Sequence, residues 1–181
     1  MRNEAKWMLL VGSAVLGVGL WAGIARATPA SGFSGTTIAL GRLESIWVRN
    51  HEVIPAGVGG EVGDDDERNL WLSFQRTRGS SDLYVQTNVW APGGTTGWHS
   101  HPGHSLIVVT EGAVTAYEGD DQTCTPHLYT AGTAFVDPGG AHVHMLRNEG
   151  SVPAKTIAVQ LIPAGAARRI DAAGPAGCPS P

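Results

Sequence analysis

Turn-forming residues recur along this chain too often for a long helix to develop. Pro92-Gly93-Gly94, Glu111-Gly112, Gly119-Asp120-Asp121, Pro138-Gly139-Gly140 and Asn148-Glu149-Gly150 cut the sequence into short apolar runs. Proline removes a backbone donor and glycine favours turns, so helices stop where either recurs. The runs between them read as strands: Thr37–Leu43, Ser45–Ile54, Asn69–Thr77, Asp82–Ala91, Leu106–Thr110, Ala113–Glu118, His127–Tyr129, Thr133–Val136, His142–Arg147 and Lys155–Ile162. In one of them Leu83, Val85, Thr87 and Val89 alternate with Tyr84, Gln86, Asn88 and Trp90, the period of two of a strand with unlike faces. The second set would line the mouth of a barrel if it faces inward. Glu111-Gly112 reads as a tight hairpin between its two neighbours. Many short strands with turns between them predict an all-β sandwich or barrel. At 181 residues the chain has room for one such domain.

Residues 1–27 stand apart. Arg2 and Lys6 precede an apolar run, Trp7 to Ile24, and Ala25-Arg26-Ala27 has the small-x-small form of a signal-peptide cleavage site. The segment is expected to be a signal peptide, or, uncleaved, an N-terminal membrane anchor. Either form places Thr28 onward outside the cytoplasm, exported or held at the outer face of the membrane. Residues 28–36 read as a small-residue linker, 37–165 as the barrel domain and 166–181 as a Pro/Gly-rich tail. Both cysteines, Cys124 and Cys178, follow the leader, and an even pair in an exported protein predicts one disulfide tethering that tail.

Charge excludes some functions. Of 12 basic residues the leader takes Arg2, Lys6 and Arg26, and of 16 acidic ones it takes Glu4, leaving a net charge of −6. An acidic domain is a poor partner for nucleic acid. The one basic cluster, Arg168-Arg169, reads as solvated surface. The glycines of Gly57–Glu67 do not join a strand to a helix as a phosphate-binding loop requires, and its aspartates lack EF-hand spacing, so it reads as a solvated loop. Gly103-His104-Ser105-Leu106-Ile107 lacks the second glycine of a nucleophile elbow.

The histidines carry the chemistry. His99 and His101 are two positions apart, the spacing that puts two imidazoles on one side of a strand, and His142 and His144 repeat it. His104 is a fifth candidate in the turn after the first pair. Two such windows, each just after a Pro/Gly turn, would supply a site for one divalent transition metal: iron, manganese, zinc, copper or nickel. His51 and His127 stand alone and read as ordinary histidines.

The segment Gly93-x5-His99-x-His101-x3-Ser105-x6-Gly112 resembles the first cupin motif, G-x5-H-x-H-x3–4-E-x6-G. Gly132-x5-Pro138-x-Gly140 followed by His144-x3-Asn148 resembles the second, G-x5-P-x-G-x2-H-x3-N. The resemblance implies a small double-stranded β-helix, a jelly-roll barrel with one metal inside, and His99, His101 and His144 match the ligands residue by residue. It also suggests a homodimer. The sequence departs from the pattern twice. Ser105 stands where the motif has a ligating glutamate, leaving either a three-histidine site or His104 in its place. One extra residue before His144 leaves His142 able to serve beside or instead of it. A site of histidines alone leaves the ion's charge uncancelled and favours an anionic ligand. The expected function is a metal-dependent cupin acting on a small anionic substrate by oxygenase or isomerase chemistry. The alternatives are a cupin that binds a small ligand or metal without turnover, and a metal-free structural or interaction barrel of the cell envelope.

Overall fold

The computed structural model describes residues 28–53 and 70–180. The expected leader and the Gly57–Glu67 loop lie outside the described residues. Twelve strands are formed: β1 (Ser31–Leu43), β2 (Trp47–Val53), β3 (Leu70–Arg76), β4 (Ser81–Thr95), β5 (His99–Ser100), β6 (Ser105–Glu111), β7 (Ala113–Glu118), β8 (His127–Thr130), β9 (Ala134–Asp137), β10 (His144–Arg147), β11 (Ala154–Pro163) and β12 (Ile170–Asp171). Among the described residues there is no helix, and so none long and apolar enough to cross a membrane.

The architecture is the expected all-β jelly roll, a nearly closed barrel. One face runs β1–β4–β11–β6–β9 and the other β12–β5–β10–β7–β8. Strand β4 joins them. It pairs along its first ten residues with β11, from Ser81↔Pro163 to Trp90↔Ala154, and reaches β10 at Thr95↔Arg147. β2 and β3 form a separate antiparallel ribbon.

Inward-facing positions fill the barrel. Along β6, Ser105, Ile107 and Val109 are buried while Leu106 and Val108 are exposed, so the alternation is real although both faces are apolar. Trp90, Val109, Val114, Ala116, Leu146 and Ala154 form one buried cluster, with Phe33, Tyr129 and Phe135 against it. Trp98, Tyr117 and Met145 form a second, packed on Val143 and the two cysteines. Each large side chain so buried contributes roughly 1.5–3 kcal/mol.

Three expectations need correcting. The link at Glu111-Gly112 is not a hairpin. β6 pairs with β11 and β9, whereas β7 pairs with β10 and β8, so the chain changes face there. Gly112 has φ +66°, and a Cβ on it would meet the Pro153 carbonyl oxygen at 2.6 Å, so the crossing requires glycine. Residues 28–36 are not a linker: β1 begins at Ser31 and pairs with β4 from Thr95 to Ser81. Small residues there allow close approach, since a Cβ at Gly32 would meet Gly94 Cα at 3.0 Å. The second histidine window is only half strand, because β10 starts at His144 and His142 lies in the turn before it.

The tail also has more structure than expected. β12 adds antiparallel to β5, with Ile170 opposite Ser100 and Asp171 opposite His99. Beyond it a disulfide joins Cys124 and Cys178. Persistent disulfides belong to oxidising compartments.

Candidate metal centre

β5 and β10 place the first two ligand candidates directly opposite each other, His99 against His144. Cross-strand partners bring their side chains within contact on one face. His101 follows β5 directly and closes the group. The ring centroids lie 4.7 Å apart for His99–His101, 4.5 Å for His99–His144 and 5.4 Å for His101–His144. One ligand nitrogen from each falls within 4.8 Å of the others.

Backbone carbonyls set two of the three tautomers. A carbonyl only accepts, so the ring nitrogen facing it carries the proton. His99 Nδ1 donates to the Gly97 carbonyl at 2.8 Å, and His101 Nδ1 donates to the Arg168 carbonyl. In both rings Nε2 is left with its lone pair free, the arrangement that orients metal-binding histidines. Burial, which disfavours the charged imidazolium, holds all three rings below their ordinary pKa: His99 far below, His101 below, and His144 at about 4. The His144 ring, the Arg169 guanidinium and the His101 ring add to the effect on His99, the two rings only when protonated. Neutral rings are the form that ligates a metal.

The sequence reading missed the fourth member. Asp137, at the end of β9, is the cross-strand partner of Ser105. Its Oδ2 accepts the Ser105 hydroxyl at 3.4 Å and lies 3.6 Å from His101 Nε2. Its Oδ1 accepts the Gly139 N–H at 2.9 Å and lies 3.7 Å from His144 Nδ1. A carboxylate from the adjoining strand thus stands beside His101 and His144, on the strand opposite Ser105. Ligand atoms about 2.1 Å from one ion are separated by about 3 Å at neighbouring octahedral positions and about 3.4 Å in a tetrahedron. His144 Nδ1 is buried with no hydrogen-bond partner, a state that costs about 1–3 kcal/mol unless a ligand satisfies it. Three neutral imidazoles, one of them with an orphaned Nδ1, and a carboxylate beside two of them fit a divalent transition metal.

His142 and His104 are placed differently. His142 turns toward Glu118, 3.0 Å from its Oε2, and stacks on His144 at 5.9 Å. It also groups with Asp137 and His144 as a second set of potential ligands. His104 is not brought into either group. It borders separate hollows with Gln75 and Leu161 on the other side of β6. His51 and His127 are exposed.

The histidines sit in the wall of a cavity of about 230 Å³. Gln86, Asn88 and Trp90 line it as the alternation of β4 allows, while Tyr84 stacks under the Arg168 guanidinium at 4.2 Å. Arg168 and Arg169, expected as solvated surface, border this cavity and are half-buried. No sequence signal tied them to the site, because they lie 67 and more residues beyond His101.

Residues 88–160 match the family described as Cupin domain. A comparison with curated proteins finds no match. Among solved structures the chain is similar to an oxalate oxidase in complex with the substrate analogue glycolate, at 25% identity and TM-score 0.39, covering 43% of this chain and 41% of that one. The chain therefore spans well under half the length of that enzyme. It is also similar to an uncharacterised double-stranded β-helix protein from Klebsiella pneumoniae (23% identity, TM-score 0.42, 50% of this chain and 74% of that one). A cupin domain from Bordetella pertussis matches at 21% identity and TM-score 0.38, over 44% of this chain and 80% of that one.

Proposed function

The chain carries a cupin domain over residues 88–160, and on that premise we propose that it is an exported protein binding one transition-metal ion and acting on a small anionic substrate. His99, His101 and His144 hold the ion, with Asp137 as the carboxylate beside them. The observation that carries this reading is the convergence of three tautomer-fixed or orphaned imidazoles on one buried point. A divalent ion bound there supplies a Lewis acid and an anchor for a substrate oxygen.

The rest is the work of the chain's own residues. The Gly97 and Arg168 carbonyls keep the Nδ1 protons of His99 and His101 in place, so each ring presents Nε2 inward. Ser105 and Gly139 hold Asp137 by one hydrogen bond to each oxygen, which fixes the carboxylate plane. Phe33, Trp90, Ile107 and Leu146 supply an apolar wall that excludes water from one side of the cavity. Export is supported by the disulfide.

Metal analysis of protein recovered from the exported fraction tests this. About one equivalent of a transition metal is expected after reloading, with His101→Ala losing most of it and His51→Ala retaining it. Less than about 0.2 equivalents of every metal tried in the unsubstituted protein would overturn the reading.

A further inference from the structure

The C-terminal strap that closes the cavity carries two arginines whose donors are disposed differently. Arg168 is held by two hydrogen bonds and a stacked ring. Its Nε donates to Gln160 Oε1 at 3.0 Å, its Nη1 to Thr37 Oγ1 at 3.0 Å, and its plane rests on Tyr84. Arg169 is not. Its Nε pairs with Asp171 on the outer side, while Nη2 is buried at the cavity with no hydrogen-bond partner. A buried, unsatisfied guanidinium N–H is costly, more so for a charged group, and needs an acceptor.

The strap is held so that this donor cannot swing away. β12 begins at the next residue, and Ile170 and Asp171 pair with Ser100 and His99. The Ala172 N–H donates to the Trp98 carbonyl at 3.0 Å. A Cβ at Gly174 would meet Trp98 Nε1 at 2.5 Å, so the strap lies flat on that indole. Arg169 is therefore set next to the strand that bears His99, in a cavity also lined by the apolar Phe33, Trp90 and Leu146.

We infer that Arg169 forms a carboxylate-binding subsite in this cavity, and that the ligand is a small monocarboxylate with an apolar body. The guanidinium fork matches a carboxylate in geometry and charge. The apolar wall matches the remainder of the molecule. The cavity, at about 230 Å³, falls below the usual range for drug-sized ligands, about 300–1,000 Å³, so the body is small. This inference deepens the proposed function, resting on it for the choice of cavity but not for the presence of the ion.

The test is calorimetric titration of the full exported protein, metal-loaded and metal-free, with benzoate, its neutral isostere benzamide, and inorganic phosphate. Metal content is measured alongside in every sample. Benzoate is expected to bind in both states and benzamide at least about tenfold more weakly. Arg169→Gln is expected to lower benzoate affinity about tenfold or more with unchanged metal content, and Arg169→Lys to recover part of it, since the charge returns without the fork. Asp171, the outer partner, is half-exposed, so neither change leaves a buried charge unpaired. Benzoate binding to Arg169→Gln within about twofold of the unsubstituted protein would overturn the inference, as would equal affinity for benzamide, tighter binding of phosphate, or no benzoate binding in either state. Absence of metal with Arg169-dependent benzoate binding would instead sink the metal reading and leave this one standing.

Discussion

Two walls of one cavity are built by opposite means. The histidine wall comes from β5 and β10, strands in the interior of a sheet, and the Gly97 carbonyl beside β5 fixes the His99 ring. The arginine wall comes from the tail, a two-residue strand at the sheet edge held by one disulfide and a few backbone bonds. The first belongs to the barrel and the second is strapped onto it. The division is not complete, because the Arg168 carbonyl receives the His101 proton and β12 pairs with the strand that bears His99.

The strongest test of that division removes the tether. Replacing both cysteines by serine opens a loop of 54 residues, and about 4 kcal/mol of stability is expected to go with it. Denaturant unfolding of the two proteins would show this. Benzoate affinity should fall in the native variant while metal content stays near one equivalent. Loss of metal to the same extent as benzoate would mean that the two walls are one unit.

Next is Asp137→Asn, which keeps shape and removes charge from the histidine wall. Metal affinity is expected to fall about 10–100-fold, measured by competition with a chelator, with benzoate binding to metal-free protein unchanged or stronger. An unchanged metal affinity would reduce Asp137 to a bystander.

A further effect is expected from acid in metal-free protein. The folded pKa values of His99, His101 and His144 are depressed, His144 to about 4, while the unfolded rings titrate near about 6.5. Between those values the unfolded chain binds more protons, so stability is full above about pH 6.5 and declines as pH falls toward about 4. Unfolding midpoints at a series of pH values would check the direction. Arg169 is one cause of the His99 and His101 depressions, so an Arg169→Gln variant should decline less. The smallest effect is His51→Ala, on the exposed ribbon β2, where no change in metal or benzoate binding is expected.

The same contrast explains what the sequence disclosed. Ligands on strands announce themselves by spacing, because His99 and His101 need only their local backbone to meet, and His144 is the next window along. The barrel was legible for a similar reason, since turns and alternation are local. Asp137 was not, because its role depends on which strand lies opposite Ser105, and pairing partners 32 residues apart leave no periodic trace. The hairpin expected at Gly112 failed on the same ground: a two-residue turn and a sheet-to-sheet crossing look alike until the partners of both strands are known. Arg169 shows the limit of charge reading. A basic pair in a Pro/Gly-rich tail normally faces water, and only the addition of β12 to β5 turns this one inward. His104 erred the other way, since one position along β6's approach moves a side chain from the cavity to the far side of the sheet.

Strand β4 bears on how the molecule assembles itself in time. Its pairing with β11 joins Ser81 to Pro163 and Trp90 to Ala154, so the central ladder cannot close until most of the chain is available. Loops of that length must be closed before any reward from pairing, which places such topologies among slow folders, on the order of milliseconds to seconds. A chain emerging from synthesis would hold β4 half-partnered until β11 arrives, and the strap that positions Arg169 could dock only after that.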